Sequence, residues 1–222
     1  MITAEKTVYT IPKTKQHTIY KDSSGNRVPG ASTIAKMLDK PKLYNWYYEC
    51  GVKGDDPNVK RDNAGDIGTI AHAMIMCHLK GWELDKSNLI PANISTAENC
   101  VLSYFEWEKG KVLEPLMIEG ILVEDALKYG GTVDLYAKID GVPTLIDFKT
   151  GKGIFDEAEY QCAGYRNLLQ VNGYPVERVL ILNIPKGEGM AFQVKPFTDM
   201  TVQFEIFKHL LAVYGLKKRM GK

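Results

Sequence analysis

Apolar positions change their rhythm about halfway along the chain. Before Gly110 they recur at helical spacing, and after it they gather into short runs rich in β-branched and aromatic residues. Residues 7–30 read as a β-hairpin or extended arm, with Ser23-Ser24-Gly25-Asn26 as turn chemistry and Pro29-Gly30 as a break. Ser32 or Thr33 is placed to cap a short helix that Pro41 interrupts, and the polar stretch 54–65 predicts a mobile loop. A helix over 69–80 stops at Gly81, and Ser95 with Glu98 reads as a capping box for a helix containing Val101, Leu102 and Phe105. Strands are predicted over 117–124, 132–139, 144–149 and 178–184, with a helix over 157–171 between the last two. A further strand over 191–197 and a closing helix bearing Val202, Ile206, Leu210 and Tyr214 complete the pattern. Helices before and after a mixed β-sheet define an α/β layered fold.

Composition narrows the class without changing that picture. The 222 residues, 45% hydrophobic and 25% charged, predict a single globular domain, with an arm or hairpin over 1–30 and a core over about 31–216. No apolar run approaches the ~20 residues of a bilayer span, and the first ten residues lack a signal core, so no membrane partner is expected. Cys50, Cys77, Cys100 and Cys162 form no C-x-x-C pair, which argues against a zinc ribbon and predicts reduced thiols in a cytoplasm, bacterial or phage-infected. The net charge of +1 conceals a segregation: residues 1–45 carry eight Lys/Arg against three acids, and 206–222 carry five and none. The middle holds the remaining 15 bases and 24 acids, a balance of −9. Basic ends around an acidic middle suit a protein that holds a polyanion beside carboxylates, although Lys217, Lys218 and Arg219 also complement the end of the last helix.

The chemistry concentrates in one predicted hairpin. Asp140-Gly141 between two strand-like runs is a two-residue turn signal that pairs Ile139 with Val142 and sets Asp134 opposite Asp147. Opposed residues share a face with Cβ atoms roughly 4.5–5.5 Å apart, and alternation adds Lys149 to that face. The other face is expected to be Val133, Leu135, Ala137, Ile146 and Phe148. Two facing carboxylates repel unless a cation lies between them, and hard oxygen ligands select Mg²⁺ or Mn²⁺. A neighbouring ammonium then stabilises developing charge or orients water, as metal-assisted phosphodiester hydrolysis requires. The competing structural account is a solvated hairpin carrying an Asp–Lys ion pair.

Two helices bear on that choice. Gln161 and Tyr165, four residues apart, are neighbours on the helix over 157–171, and a glutamine at its sheet-facing edge needs a polar partner. His72 shares a face with Ile75, Met76 and Leu79 and points to the core or its margin, where a structural histidine is the ordinary case; His78 lies off that face. Thr150-Gly151-Lys152-Gly153 is not a phosphate loop, because glycine is missing at Ile146 and a hydroxyl at Gly153. Lys40, Lys42, Tyr44, Trp46 and Tyr47 suggest base stacking, but so contiguous an aromatic run predicts core packing.

Taken together, Gly131-Thr132-Val133-Asp134, Leu145-Ile146-Asp147-Phe148-Lys149-Thr150-Gly151-Lys152 and Gln161-x-x-x-Tyr165 resemble the RecB-type branch of the PD-(D/E)xK nuclease superfamily. Gly68-Thr69-Ile70-Ala71-His72 is similar to that branch's histidine motif, and the order matches from about Ala31 to Ile184. The nearest flavour is that of small stand-alone phage exonucleases and the mitochondrial genome maintenance exonuclease. The resemblance implies a restriction-endonuclease-like core and a Mg²⁺- or Mn²⁺-dependent DNA nuclease, an exonuclease on single strands or duplex ends, in recombination, repair or processing. It implies metal ligation by His72, Asp134, Asp147 and the Phe148 carbonyl, and water positioning by Lys149. Gln161 and Tyr165 would orient the lysine or grip the DNA, with Glu119 in a supporting role. Branches with an iron–sulfur cluster have three cysteines near the C-terminus; none follows Cys162, so no cluster is expected. Unwinding would require a helicase or recombination partner. The rival expectation is a non-catalytic nucleic-acid-binding or scaffold protein on the same fold.

Overall fold

The computed structural model describes residues 6–12, 18–38, 40–186 and 190–221. In chain order its elements are β1 (Val8–Thr10), β2 (Tyr20–Lys21), β3 (Arg27–Val28), α1 (Ala31–Ala35), α2 (Pro41–Lys53), α3 (Pro57–Lys80), β4 (Glu83–Asp85) and α4 (Pro91–Glu108). There follow β5 (Leu113–Glu124), β6 (Tyr129–Ile139), β7 (Val142–Lys149), α5 (Asp156–Val171), β8 (Arg178–Asn183), β9 (Gln193–Phe197) and α6 (Thr201–Arg219).

The turn that Asp140-Gly141 predicts is present. Both residues take positive φ, 53° and 83°, as a tight two-residue connection demands. The register follows from it, running from Ile139↔Val142 to Leu135↔Ile146. The sheet has the order β5-β6-β7-β8-β9, antiparallel except for the parallel β7–β8 pair that α5 bridges. Parallel neighbours need such a crossover, because a hairpin cannot return the chain in the same direction.

Strand alternation divides the interior. Leu145, Val179 and Ile181 join α1, α5 and α6 on one face, burying Ile34, Leu168, Leu169 and Phe207. Leu135, Ile146, Phe148 and Leu182 join α3 and α4 on the other, with Ile75, Val101 and Tyr104. Truncating a fully buried leucine such as Leu135 to alanine costs about 2–5 kcal/mol. Val133 departs from the predicted grouping: it packs on the α5 side, beyond the last β6–β7 pair, where the ladder loosens.

Other expectations are corrected. The polar stretch after Gly54 is not a loop but the first turns of a 24-residue helix, α3, which opens on Pro57. The Asp56 carboxylate caps it, accepting from the N–H groups of Asn58 (2.8 Å) and Val59 (3.4 Å). No residue of α3 is buried before Gly68, so these turns have no reason to show an apolar stripe. Ser95 and Glu98 lie inside α4, which begins at Pro91, and Glu98 pairs with Lys86 instead (2.6 Å). Gly30, rather than Ser32 or Thr33, precedes α1, with no side-chain cap.

The aromatics of α2 are not core either. Tyr44 and Tyr48 are 61% and 75% exposed, and Tyr47 is partly exposed. At positions i, i+3 and i+4 these three share one helix face despite their closeness in sequence. Of the stretch 7–30 read as a hairpin or extended arm, β2 and β3 pair as an antiparallel hairpin while β1 pairs in parallel with β4, and residues 13–17 lie outside the described residues. Lys217, Lys218 and Arg219 occupy the last turn of α6. Among the described residues no helix is long and apolar enough to cross a membrane.

Candidate metal centre

The site forms where β6 and β7 stop pairing. Beyond Leu135↔Ile146, the Asp134 side chain takes over as acceptor, its Oδ2 receiving the Phe148 N–H at 2.8 Å. A side chain thus closes the ladder and is held at the sheet's end. His72, from the middle of α3, lies with Nδ1 3.9 Å from the same Oδ2 and its ring edge-on to Phe148.

Glu119 arrives by a backbone irregularity. Ile118↔Leu135 and Gly120↔Val133 are paired on either side of it, so Glu119 stands opposite Asp134. Its φ is 53°, the left-handed region that side chains rarely adopt within a strand. A Cβ on Gly120 would lie 2.0 Å from Met117 Sδ, which explains glycine at the next position. One ligand atom each from His72, Glu119 and Asp134 lies within 4.8 Å of the others.

The second half of the site is a closed network. Lys149 Nζ is 2.7 Å from Asp147 Oδ2, in ion-pair contact but off hydrogen-bond alignment, so that oxygen is buried without a hydrogen bond. Lys149 also donates to Gln161 Oε1 at 3.3 Å. Gln161 Nε2 donates to the Tyr165 hydroxyl at 2.8 Å and lies 3.5 Å from Asp147 Oδ1, a marginal contact. The i, i+4 pair read from α5 is therefore a hydrogen-bonded pair, and the polar partner expected for Gln161 is the hairpin's charged face. Tyr165 comes this close because Gly131 has no side chain: a Cβ there would sit 2.5 Å from Tyr165 Cε1 and 2.9 Å from Leu168 Cδ1.

Crowding shapes the charges. Burial, and then the Lys149 ammonium, lower the His72 imidazole to about 4, against the pull of Asp147 and the Phe148 backbone. It is neutral near pH 7 and offers a lone pair. Burial raises Asp147 to about 6; Lys149 opposes this and Asp134 adds to it. Desolvation and the facing Asp134 carboxylate push Glu119 up to about 7, while Asp134 itself is raised by burial. Burial works against the Lys149 ammonium, yet Asp147 more than offsets it and holds the amine above its ordinary range. Carboxylates that resist ionising together, beside a neutral imidazole, fit a divalent cation.

His72, Glu119, Asp134, Asp147, Phe148, Lys149, Gln161 and Tyr165, the residues the resemblance assigns to the site, lie in or against this one region. The structure sets Glu119 among the clustered ligand atoms and joins Asp147 to Lys149 rather than to that cluster. Phe148 contributes its N–H to Asp134 and its ring to the α3 side of the core. His78 turns away to Glu108 (2.8 Å). Sequence reasoning missed Lys186, whose charge acts on His72 and whose ammonium donates to the Ala64 carbonyl. It lies beyond β8, outside every motif, and nothing local marks it.

No family model matches the sequence, and no curated protein matches it. Among solved structures, the chain is similar to an exonuclease candidate from Eubacterium rectale, at 12% identity over 68% of this chain and 65% of that one, TM-score 0.48. It is also similar to LHK-Exo in complex with dAMP, at 11% identity over 87% and 89%, TM-score 0.46. A second structure, of the Laribacter hongkongensis alkaline exonuclease LHK-Exo, matches at 12% identity over 86% and 92%, TM-score 0.38.

Proposed function

We propose that this chain is a divalent-metal-dependent nuclease that hydrolyses phosphodiester bonds in DNA, acting as an exonuclease on single strands or duplex ends. One observation carries the reading: an imidazole–carboxylate cluster stands directly beside a lysine that Asp147 and Gln161 hold in place. His72, Asp134 and Asp147, with the Phe148 carbonyl, would hold Mg²⁺ or Mn²⁺, and Glu119 is placed to complete the set. When bound, such a cation withdraws charge from phosphoryl oxygens and makes water a better nucleophile.

The protein's own groups do the rest. His72 is neutral and keeps its lone pair without a competing proton. Lys149 stays protonated, so it acts as a hydrogen-bond donor and fixed positive charge, orienting water and countering charge on the phosphorus centre, and not as a base. Gln161 holds the ammonium, and the Tyr165 hydroxyl fixes the amide. A fixed donor needs no reorganisation during the reaction.

The test is nucleotide release from end-labelled DNA with Mg²⁺ or Mn²⁺, comparing wild type with Asp134→Ala and Lys149→Ala. Release that chelator abolishes and both variants lose is expected, with linear substrates degraded and circular ones spared. Equal release by all three proteins would refute the assignment. DNA binding indifferent to chelator, with no cleavage under either ion, would favour a non-catalytic binding protein.

A further inference from the structure

Beside the metal cluster, on the α3 side, two polar groups converge on a bare patch of helix. A Cβ placed on Gly68 would lie 2.6 Å from Thr150 Oγ1 and 3.2 Å from Lys186 Nζ. Those two distances leave the hydroxyl and the ammonium no more than 5.8 Å apart. Two oxygens of one phosphate group, each about 2.9 Å from its donor, the usual hydrogen-bond length, can therefore engage both. Gly68 is buried while Thr150 and Lys186 are half-buried, so the two groups meet at the protein's margin.

Among the described residues, neither group has its hydrogen-bonding capacity filled. Lys186 gives one proton to the Ala64 carbonyl and, among the described residues, is paired with no carboxylate. An ammonium has three donors, so two remain to be used. The Thr150 hydroxyl has no hydrogen-bond partner among the described residues. Thr150 follows Lys149 directly, and Gly68 precedes His72 by four residues on α3, one turn or ~6 Å along the helix. An unpaired ammonium and an unused hydroxyl, over a backbone with no side chain to obstruct them, make a place for an oxyanion.

We propose that Lys186 and the Thr150 hydroxyl, meeting over Gly68, form a phosphate subsite that holds the substrate strand next to the phosphodiester being cut. The proposal rests on the nuclease reading and adds to it the contact that sets the strand's register. A tether holding the chain after β8 to α3 is the competing role for Lys186, since it already bonds the Ala64 carbonyl. The two roles separate in salt dependence, because only a phosphate contact releases a counterion on binding.

The experiment measures binding of fluorescent single-stranded oligonucleotides by the full chain in chelator across a salt series. Wild type, Lys186→Ala, Lys186→Arg and Thr150→Val are compared. Lys186→Ala is expected to weaken binding about tenfold or more and to lower the log–log salt slope by about one. Lys186→Arg should recover the slope. Thr150→Val, nearly isosteric, should weaken binding several-fold with the slope intact, and it stands in if Lys186→Ala fails to fold.

Oligonucleotides with a phosphorylated end, with bare ends, and with one neutral internal linkage distinguish the source of the phosphate. An equal loss on both kinds of end assigns the subsite to an internal phosphate, and a loss confined to phosphorylated ends assigns it to a terminal one. Affinity and slope unchanged in Lys186→Ala and Thr150→Val, in a protein whose wild type cleaves DNA, would overturn the subsite alone. A wild type that neither binds nor cleaves would overturn the nuclease reading and the subsite together.

Discussion

The two halves of the candidate centre are built on opposite principles. Around Lys149, every polar group has a neighbour to hold it: Asp147, Gln161 and Tyr165 form a chain of contacts between the sheet and α5. Around Asp134 the groups are brought near one another without satisfying one another. Glu119 and Asp134 are both acids, and His72 is too far from Asp134 for a hydrogen bond. One half resembles a finished interior network, in which position is fixed by mutual bonding. The other is a set of carboxylate and imidazole atoms whose mutual repulsion a divalent cation would relieve. A folded protein tolerates the second arrangement because the first, and two hydrophobic cores, supply the rigidity.

That contrast is open to attack at graded cost. Asp134→Ala strikes the open half and also removes the acceptor of the Phe148 N–H, and should lower cleavage by about a thousandfold or more in single-turnover assays. Gln161→Ala strikes the closed half. It leaves Lys149 charged but loosely held, so a fall of about ten- to a hundredfold is expected in the same assay, larger than any change in metal affinity.

Glu119 permits a sharper comparison, because its side chain and its backbone can be tested apart. Glu119→Gln and Glu119→Gly should both weaken metal binding in calorimetric titrations. Glycine accepts the 53° φ without strain, so Glu119→Gly should melt a few degrees above Glu119→Gln, a difference of about 1 kcal/mol. A lower melting point for the glycine variant would show that the kink is not strained.

The smallest effect is that of pH. Asp147, raised to about 6, and Glu119, to about 7, hold protons below those values, and a metal must displace them. Affinity should therefore climb as pH rises through 6 and 7 and flatten above about 8, with more protons released on binding at pH 6 than at pH 8. His72, lowered to about 4, is already neutral over this range and adds no slope.

The sequence was most legible where one local signal dictates geometry. Asp140-Gly141 admits one tight turn, and that turn fixes the register as far as Leu135↔Ile146; beyond it the expected opposition of Asp134 and Asp147 on one face gives way, Asp134 turning to the Phe148 N–H and His72 while Asp147 goes with Lys149. The i, i+4 spacing of Gln161 and Tyr165 was equally direct. The signals failed where a fold-wide circumstance overrides a local one. The first turns of α3 look like a loop because nothing packs on them, and the exposed tyrosines of α2 look like core because contiguity hides a shared helix face. Glu119 reaches the cluster through a positive φ at a non-glycine residue, and Lys186 through the path of the chain after β8. Glu119 is marked by its position upstream of the Gly131–Asp134 motif, but the kink that turns it to the cluster, like the reach of Lys186, leaves no trace in residue spacing.

Gly131 sets the clearance between α5 and β6, since even a methyl group there would collide with the Tyr165 ring and with Leu168. An alanine at that position would act as a shim, lifting the helix off the strand and carrying the amide of Gln161 away from the amine it steadies. The glycine of this segment thus works as a gauge: the reach of a glutamine four residues upstream of the tyrosine is measured by an atom that is not there.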